Sequence, residues 1–221
     1  MVFKTAELTV QTVNECSYVQ HICRDYLCQS PAPDLLVHLT KTDPLEQSIE
    51  LLRAVNDALI SKDTFLMHCS ALSIDGCGYL FAAHSGTGKS THARMWRQVF
   101  GDKVIMVNDD KPFIKITGSG ALVYGSPWNG KHSLSTNICV PIKAICFLER
   151  GTQDKISPVN PDFALNHIFD QLPRSTDPAY TLRLLELVDK LLTNTPLYRL
   201  ECTPTENAAK VAYTGITGGK I

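Results

Sequence analysis

No sign of charge dominates this chain of 221 residues: 21 lysines and arginines stand against 22 aspartates and glutamates, a formal net charge of −1. So even a balance gives no electrostatic footing for nucleic acid or an anionic membrane as partner. No uninterrupted apolar run is long enough to span a bilayer, and the first residues lack the charged-then-apolar pattern of a leader. The expectation is a soluble cytoplasmic protein. Its eight cysteines include no C-x-x-C pair, and several lie in apolar runs, such as Cys146 within Ala144–Leu148. Buried free thiols fit that placement better than disulfides. Cys16, Cys23 and Cys28 with His21 match no common zinc spacing. Charged residues make up only 19% against 44% apolar, the proportions of a globular protein with a substantial core. The length suits one sizeable domain, divided here into an N-terminal layer over 1–62 and a main domain over 63–221.

What the chain does have is concentrated in Tyr79–Asp110. An apolar run, Tyr79-Leu80-Phe81-Ala82-Ala83, leads into His84-Ser85-Gly86-Thr87-Gly88-Lys89-Ser90-Thr91. A helical pattern follows through Val99, and a second apolar run, Val104–Val107, ends at Asn108-Asp109-Asp110. Strand, glycine loop, helix, strand and paired carboxylates are the parts that hold a nucleoside triphosphate and its magnesium. Gly86 and Gly88 permit backbone angles that let successive N–H groups share one concavity. The helix start beyond them favours phosphate through its unpaired N–H groups and dipole. Lys89 can reach the β- and γ-phosphates, and the Ser90 hydroxyl is placed for the metal. The strict pattern asks for glycine where this chain has Ala83. Adjacent Asp109 and Asp110 repel each other unless a cation or shared proton offsets them. A magnesium ion held by Ser90 and Asp110 does so, leaving Asp109 as the base that accepts a hydroxyl proton, although the two aspartates are interchangeable at this level. Taken alone, Asn108–Pro112 reads as a polar turn; only its place behind the loop argues otherwise.

Around this stretch, Phe3–Val13 alternates like a strand, Asn14–Leu27 suggests a helix, Pro31-Ala32-Pro33 a break, and Asp34–Leu39 a short strand. Leu45–Ile60 carries a wide apolar helical face. Thr64–Ile74 reads as a strand, and Asp75-Gly76-Cys77-Gly78 as the hairpin turn into the next. A hairpin entry departs from the helix-connected parallel layout usual before such a loop. Past Asp110, Pro112–Ile116, Ala121–Tyr124 and Val140–Leu148 read as strands, with Glu149-Arg150-Gly151 ending the last. Pro161–Leu172, Thr181–Leu192 and Pro204–Tyr213 read as helices and Leu197–Cys202 as a strand. The last two helices are expected to cover a sheet face or form a subunit contact, making a homo-oligomer a candidate, and the tail Thr217–Ile221 is expected to fray. Gly125-Ser126-Pro127-Trp128-Asn129-Gly130-Lys131-His132 is a candidate acceptor or phosphate loop, with Trp128 to stack and Lys131 to counter phosphate. An ordinary surface connection with a packing tryptophan explains it equally well. Arg150 stands as a candidate stabiliser of a transferring group, or as half of a surface ion pair.

His68, the hairpin, the Ser85–Ser90 loop and Val107-Asn108-Asp109-Asp110 together resemble the catalytic domain of HPr kinase/phosphorylase. That family shares its nucleotide-binding core with ATP-dependent phosphoenolpyruvate carboxykinase. The longer pattern S-G-T-G-K-S-T-H-x-x-x-W with N-D-D and P-W-x-G-K is similar to a divergent HPr-kinase-like group, some of it associated with peptide natural-product modification. The resemblance covers about Phe65–Gly151. It implies an α/β fold with a mixed sheet and flanking helices, and His68 near the transferred phosphoryl, supporting Asp109. Ala83-His84 replace the Gly-Asp usual before the loop serine, and the glycine-rich signature tied to phosphorylase activity has no counterpart. The expected function is ATP- and magnesium-dependent phosphoryl transfer to an unknown hydroxyl acceptor, a serine of a peptide or protein or a small molecule. The competing expectation is a nucleotide-binding regulatory module with little or no transfer.

Overall fold

The computed structural model describes residues 1–30 and 32–219. Pro31 of the expected break, and Lys220 and Ile221 of the expected frayed tail, lie outside the described residues. The chain opens with β1 (Val2–Thr5) and β2 (Leu8–Val13), two antiparallel strands where alternation suggests one. Ala6 and Glu7 between them take φ of 46° and 67°. That left-handed backbone makes a tight hairpin, but neither residue type announces it. The helix expected over Asn14–Leu27 is shorter: α1 (Ser17–Cys23), then a 3₁₀ turn over Arg24–Tyr26. β3 (Leu35–His38) runs parallel to β2 and completes a three-stranded sheet. α2 (Pro44–Ile60) packs Leu51, Val55 and Leu59 on it, in one apolar cluster with Leu66, Phe113, Tyr124 and Trp128 from later in the chain.

Next come β4 (Thr64–Leu66), β5 (Ser70–Ile74), β6 (Cys77–Ala82), α3 (Lys89–Phe100), β7 (Ile105–Asn108), β8 (Phe113–Thr117) and β9 (Gly120–Tyr124). They are followed by β10 (Cys139–Arg150), β11 (Lys155–Pro158), α4 (Pro161–Ile168), α5 (Pro178–Asn194), β12 (Leu197–Cys202) and α6 (Glu206–Thr217). The expected strand Thr64–Ile74 is broken at Met67-His68-Cys69 because its halves serve different neighbours. β4 pairs with β8, whereas β5 lies between β6 and β7, antiparallel to both. β10 joins the two regions: its first residues pair with β9, and the rest run parallel to β6 and β12. β11 carries too little pattern to be read as a strand and exists by pairing with β12.

The near-continuous hydrophobicity of β6 and β10 follows from burial on both faces. Leu80, Ala82, Ile145 and Phe147 face a cluster with Ile168, Leu187 and Leu191 of α4 and α5. The alternate residues Phe81, Cys146 and Leu148 face Trp96, Ala209 and Ala212 of α3 and α6. The two C-terminal helices therefore do not share a face, as β12 carries the chain through the sheet between them. α2, α4 and α5 begin alike, on Asp43-Pro44, Asn160-Pro161 and Asp177-Pro178. In each the acidic or amide side chain accepts backbone N–H bonds and proline occupies the first turn. For α5 this moves the start ahead of the expected Thr181. Among the described residues no helix is long and apolar enough to cross a membrane.

Candidate functional site

Because β5 lies between them and antiparallel to both, β6 and β7 run in the same direction and end at one edge of the sheet. β10 ends there too, being parallel to β6. The glycine-rich loop, Asp109-Asp110, Arg150 and His68, just before β5, are thereby brought together from four parts of the chain. Between them lies a cleft of about 930 Å³. Of the residues expected to form a site, His68, Ser85, Gly86, Gly88, Lys89, Ser90, Thr91, Asp109, Asp110 and Lys131 line it. Thr87, Trp128 and Arg150 do not.

In the loop, Gly86 and Gly88 take φ of 79° and 125°, where a side chain would be strained. Gly88 caps α3 without a side chain, leaving that helix start open, in contrast to α2, α4 and α5. Lys89 is 92% buried, and its Nζ donates to the Ala83 carbonyl at 2.7 Å. Burial pushes the ammonium below the ordinary lysine range, while Cys69, Asp110 and Asp109 pull the other way. From the far side of the loop, the Arg150 guanidinium donates to the Gly86 carbonyl at 2.6 Å. Arg150 thus braces the loop rather than facing the cleft.

Opposite stand the aspartates. Asp109 is buried; its N–H donates to the Leu134 carbonyl, and its Oδ1 accepts the Ser70 hydroxyl at 2.7 Å. Asp110 faces His68, whose Nε2 lies 3.2 Å from Oδ1, and Lys111, whose ammonium reaches Oδ2. Burial pushes the Asp110 carboxyl up, but the hydrogen bonds and charges of His68 and Lys111 prevail and hold it below the usual range. The sequence resemblance gave His68 as support for Asp109; in the structure its Nε2 faces Asp110. Asn108 shapes this corner, its Oδ1 accepting from the N–H groups of Asp110 at 2.8 Å and Lys111 at 2.7 Å. Its Nδ2 ties the turn to Ser126. A Cβ on Gly130 would come within 3.0 Å of Asp110, so that glycine lets the Gly125–His132 segment approach the carboxylate.

Trp128 has no part in the cleft. It is 93% buried, edge-on to Phe113, and its indole N–H donates to Ser48 of α2 at 3.1 Å. Among the described residues no three His, Cys, Asp or Glu side chains converge on a metal position, and Cys16, Cys23 and Cys28 are free.

A family model, ScmC: SynChlorMet cassette protein ScmC, matches residues 40–205, which include the whole cleft edge from His68 to Arg150. The chain belongs to the ScmC family. No curated protein matches it. Among solved structures it is similar to the Hpr(Ser) kinase/phosphatase from Coxiella burnetii, at 11% identity and a TM-score of 0.38, over 69% of this chain and 94% of that one.

Besides Arg94 and Arg97, which line the cleft from α3, three residues that shape this candidate site escaped the sequence reading. Ser70 is hidden because a serine opening a strand has no distinguishing neighbours. Lys111 was visible as part of a polar turn, and only the fold turns it back onto Asp110. Asn108 was read as the first letter of N-D-D, without its role as the cap of the turn.

Proposed function

We propose that this ScmC-family chain is a kinase that transfers the γ-phosphoryl group of ATP, carried as its magnesium complex, to a hydroxyl acceptor. The observation that carries the reading is the single cleft in which open helix N–H groups and a buried lysine face two aspartates and a histidine. The residues suit the triphosphate. Among the described residues, Lys89 has a carbonyl but no carboxylate as hydrogen-bond partner, so its buried charge lacks a direct counterion. An anion at the mouth of the loop would supply one. They suit magnesium as well, since a nucleotide-borne ion takes most of its ligands from phosphate and water and needs only one or two from protein.

The chemistry supplied by bound magnesium is neutralisation of charge on the β- and γ-phosphate oxygens. In this reading the backbone of Ser85–Ser90 and Lys89 hold the phosphates, with Thr91 at the first turn of α3. Ser90 and one aspartate meet the ion. We assign that aspartate as Asp109, whose hydrogen-bond partner is a neutral hydroxyl, so its charge is still available. Asp110, less buried than Asp109, is the more open to an incoming hydroxyl and becomes its proton acceptor. This inverts the order of roles first expected, because Asp110 is the more exposed of the two. As the acceptor oxygen bonds to phosphorus, the bridging P–O bond breaks, ADP departs, and the hydroxyl proton passes to Asp110.

Calorimetric titration with MgATP, followed by incubation with labelled ATP and a panel of serine peptides and small hydroxy compounds, tests the proposal. Asp110→Asn should bind MgATP normally and lose acceptor-dependent transfer by about 10²–10⁴-fold. Asp109→Asn should instead lose the magnesium dependence of nucleotide binding. Wild-type protein that does not bind MgATP overturns the reading; tight binding with no transfer to any acceptor makes the chain a nucleotide-binding regulatory module.

A further inference from the structure

The cleft continues beyond the loop along α3, and that extension is positively charged. Four lysine and arginine side chains line the cleft as a whole, Lys89, Arg94, Arg97 and Lys131, against two carboxylates, Asp109 and Asp110, and Arg94 and Arg97 belong to the extension. The chain as a whole is slightly negative, at −1, so the excess is local to this wall. Both carboxylates are engaged with Ser70, His68 and Lys111. Arg94, Arg97 and Lys131 are exposed, and among the described residues none of them pairs with a carboxylate.

Arg94 and Arg97 are three apart on one helix and so share a face. At 1.5 Å per residue, Arg97 lies about 12 Å along α3 from Lys89, more than two turns past the loop. A triphosphate held at the helix start leaves those charges unmatched. The row is long enough for about four residues of extended chain, at roughly 3.3 Å each. Lys131 and His132 line the same cleft from the Gly125–His132 segment.

Resting on the kinase reading above, we infer that the acceptor is an acidic peptide segment, its hydroxyl presented to Asp110 and its flanking carboxylates held by Arg94, Arg97 and Lys131. Guanidinium groups suit this role because they bind carboxylates through paired N–H bonds.

The test uses the full chain with MgADP and two fluorescein-labelled peptides, a serine flanked by glutamates and the same serine flanked by glutamines, read by fluorescence anisotropy. The glutamate peptide should bind at least about tenfold tighter, and added salt should erode the difference. The double variant Arg94→Gln/Arg97→Gln should lose that preference while keeping MgADP affinity within about twofold. Equal binding of the two peptides overturns the inference. So does a double variant that loses nucleotide affinity, which would assign the arginines to the nucleotide. Competition by inorganic phosphate or citrate as strong as by the peptide points to a general anion site and also overturns it. MgATP titration of the wild type reads the kinase proposal separately: normal nucleotide binding with no peptide discrimination removes only the acidic acceptor.

Discussion

His92 lies buried beneath the glycine-rich loop, edge-on to Phe81, and its Nε2 accepts the Trp96 indole N–H at 2.9 Å. An indole nitrogen only donates, so Nε2 carries no proton and the imidazole is neutral with Nδ1 protonated. The H-x-x-x-W portion of the motif is thus an i, i+4 pair on the hidden side of α3, holding the helix to the sheet. Burial pushes the His92 pKa from 6.5 to about 4. The unfolded chain takes up this proton more readily than the folded one, so the stability tied to neutral His92 is complete above pH 6.5. It drains away as pH falls towards 4, by about 3 kcal/mol. Urea titrations at steps between pH 7 and pH 4 should show this loss in the wild type and a shallower one in His92→Gln; parallel curves would refute it. In the cleft, Lys89→Met should weaken MgATP binding by about tenfold or more, since methionine keeps the stem and removes the charge. Unchanged affinity in a titration would remove the lysine from the site.

Turns and caps were the least evenly legible elements. Asp43, Asn160 and Asp177 before prolines are local cap signals, although the α5 start at Pro178 lies ahead of the expected Thr181, and Asp43→Ala should cost about 1 kcal/mol in thermal or chemical denaturation. The Ala6-Glu7 turn was invisible because its left-handed angles are imposed by the pairing of β1 with β2, not by the residues. Gly125 is a different case. A Cβ there would sit 2.0 Å from the Thr136 carbonyl oxygen, a backbone atom that cannot rotate aside. Gly125→Ala should therefore destabilise by about 3 kcal/mol, whereas alanine at Gly118, which has open space around it, should change little. Equal melting temperatures for the two variants would contradict this.

The molecule as a whole links its N-terminal layer to the cleft through Trp128. The indole fills an apolar cluster shared by α2 and β8, and its N–H satisfies Ser48, while two residues later Gly130 lies where a Cβ would come within 3.0 Å of Asp110. Trp128→Ala should cost about 3–5 kcal/mol. Because the loop is moored there, it should also lower transfer activity more than nucleotide affinity. A variant with full activity at low temperature would separate the mooring from the chemistry. Arg150, at the end of β10, likewise joins distant segments by donating to the Gly86 carbonyl of the glycine-rich loop.

Read alone, the chain disclosed where its chemistry lies: the glycine turn with Lys89 and Ser90, the two aspartates, and a histidine ahead of a hairpin. These depend on near neighbours, because backbone freedom, capping and periodicity act over a few residues. Which groups meet was decided by strand order. Placing β5 between β6 and β7 brings their ends to one edge, and breaking the chain at His68 turns that side chain to Asp110. Burying both faces of the sheet sends α5 and α6 to opposite sides. Such choices belong to the packing of distant segments, and no stretch of sequence carries them by itself.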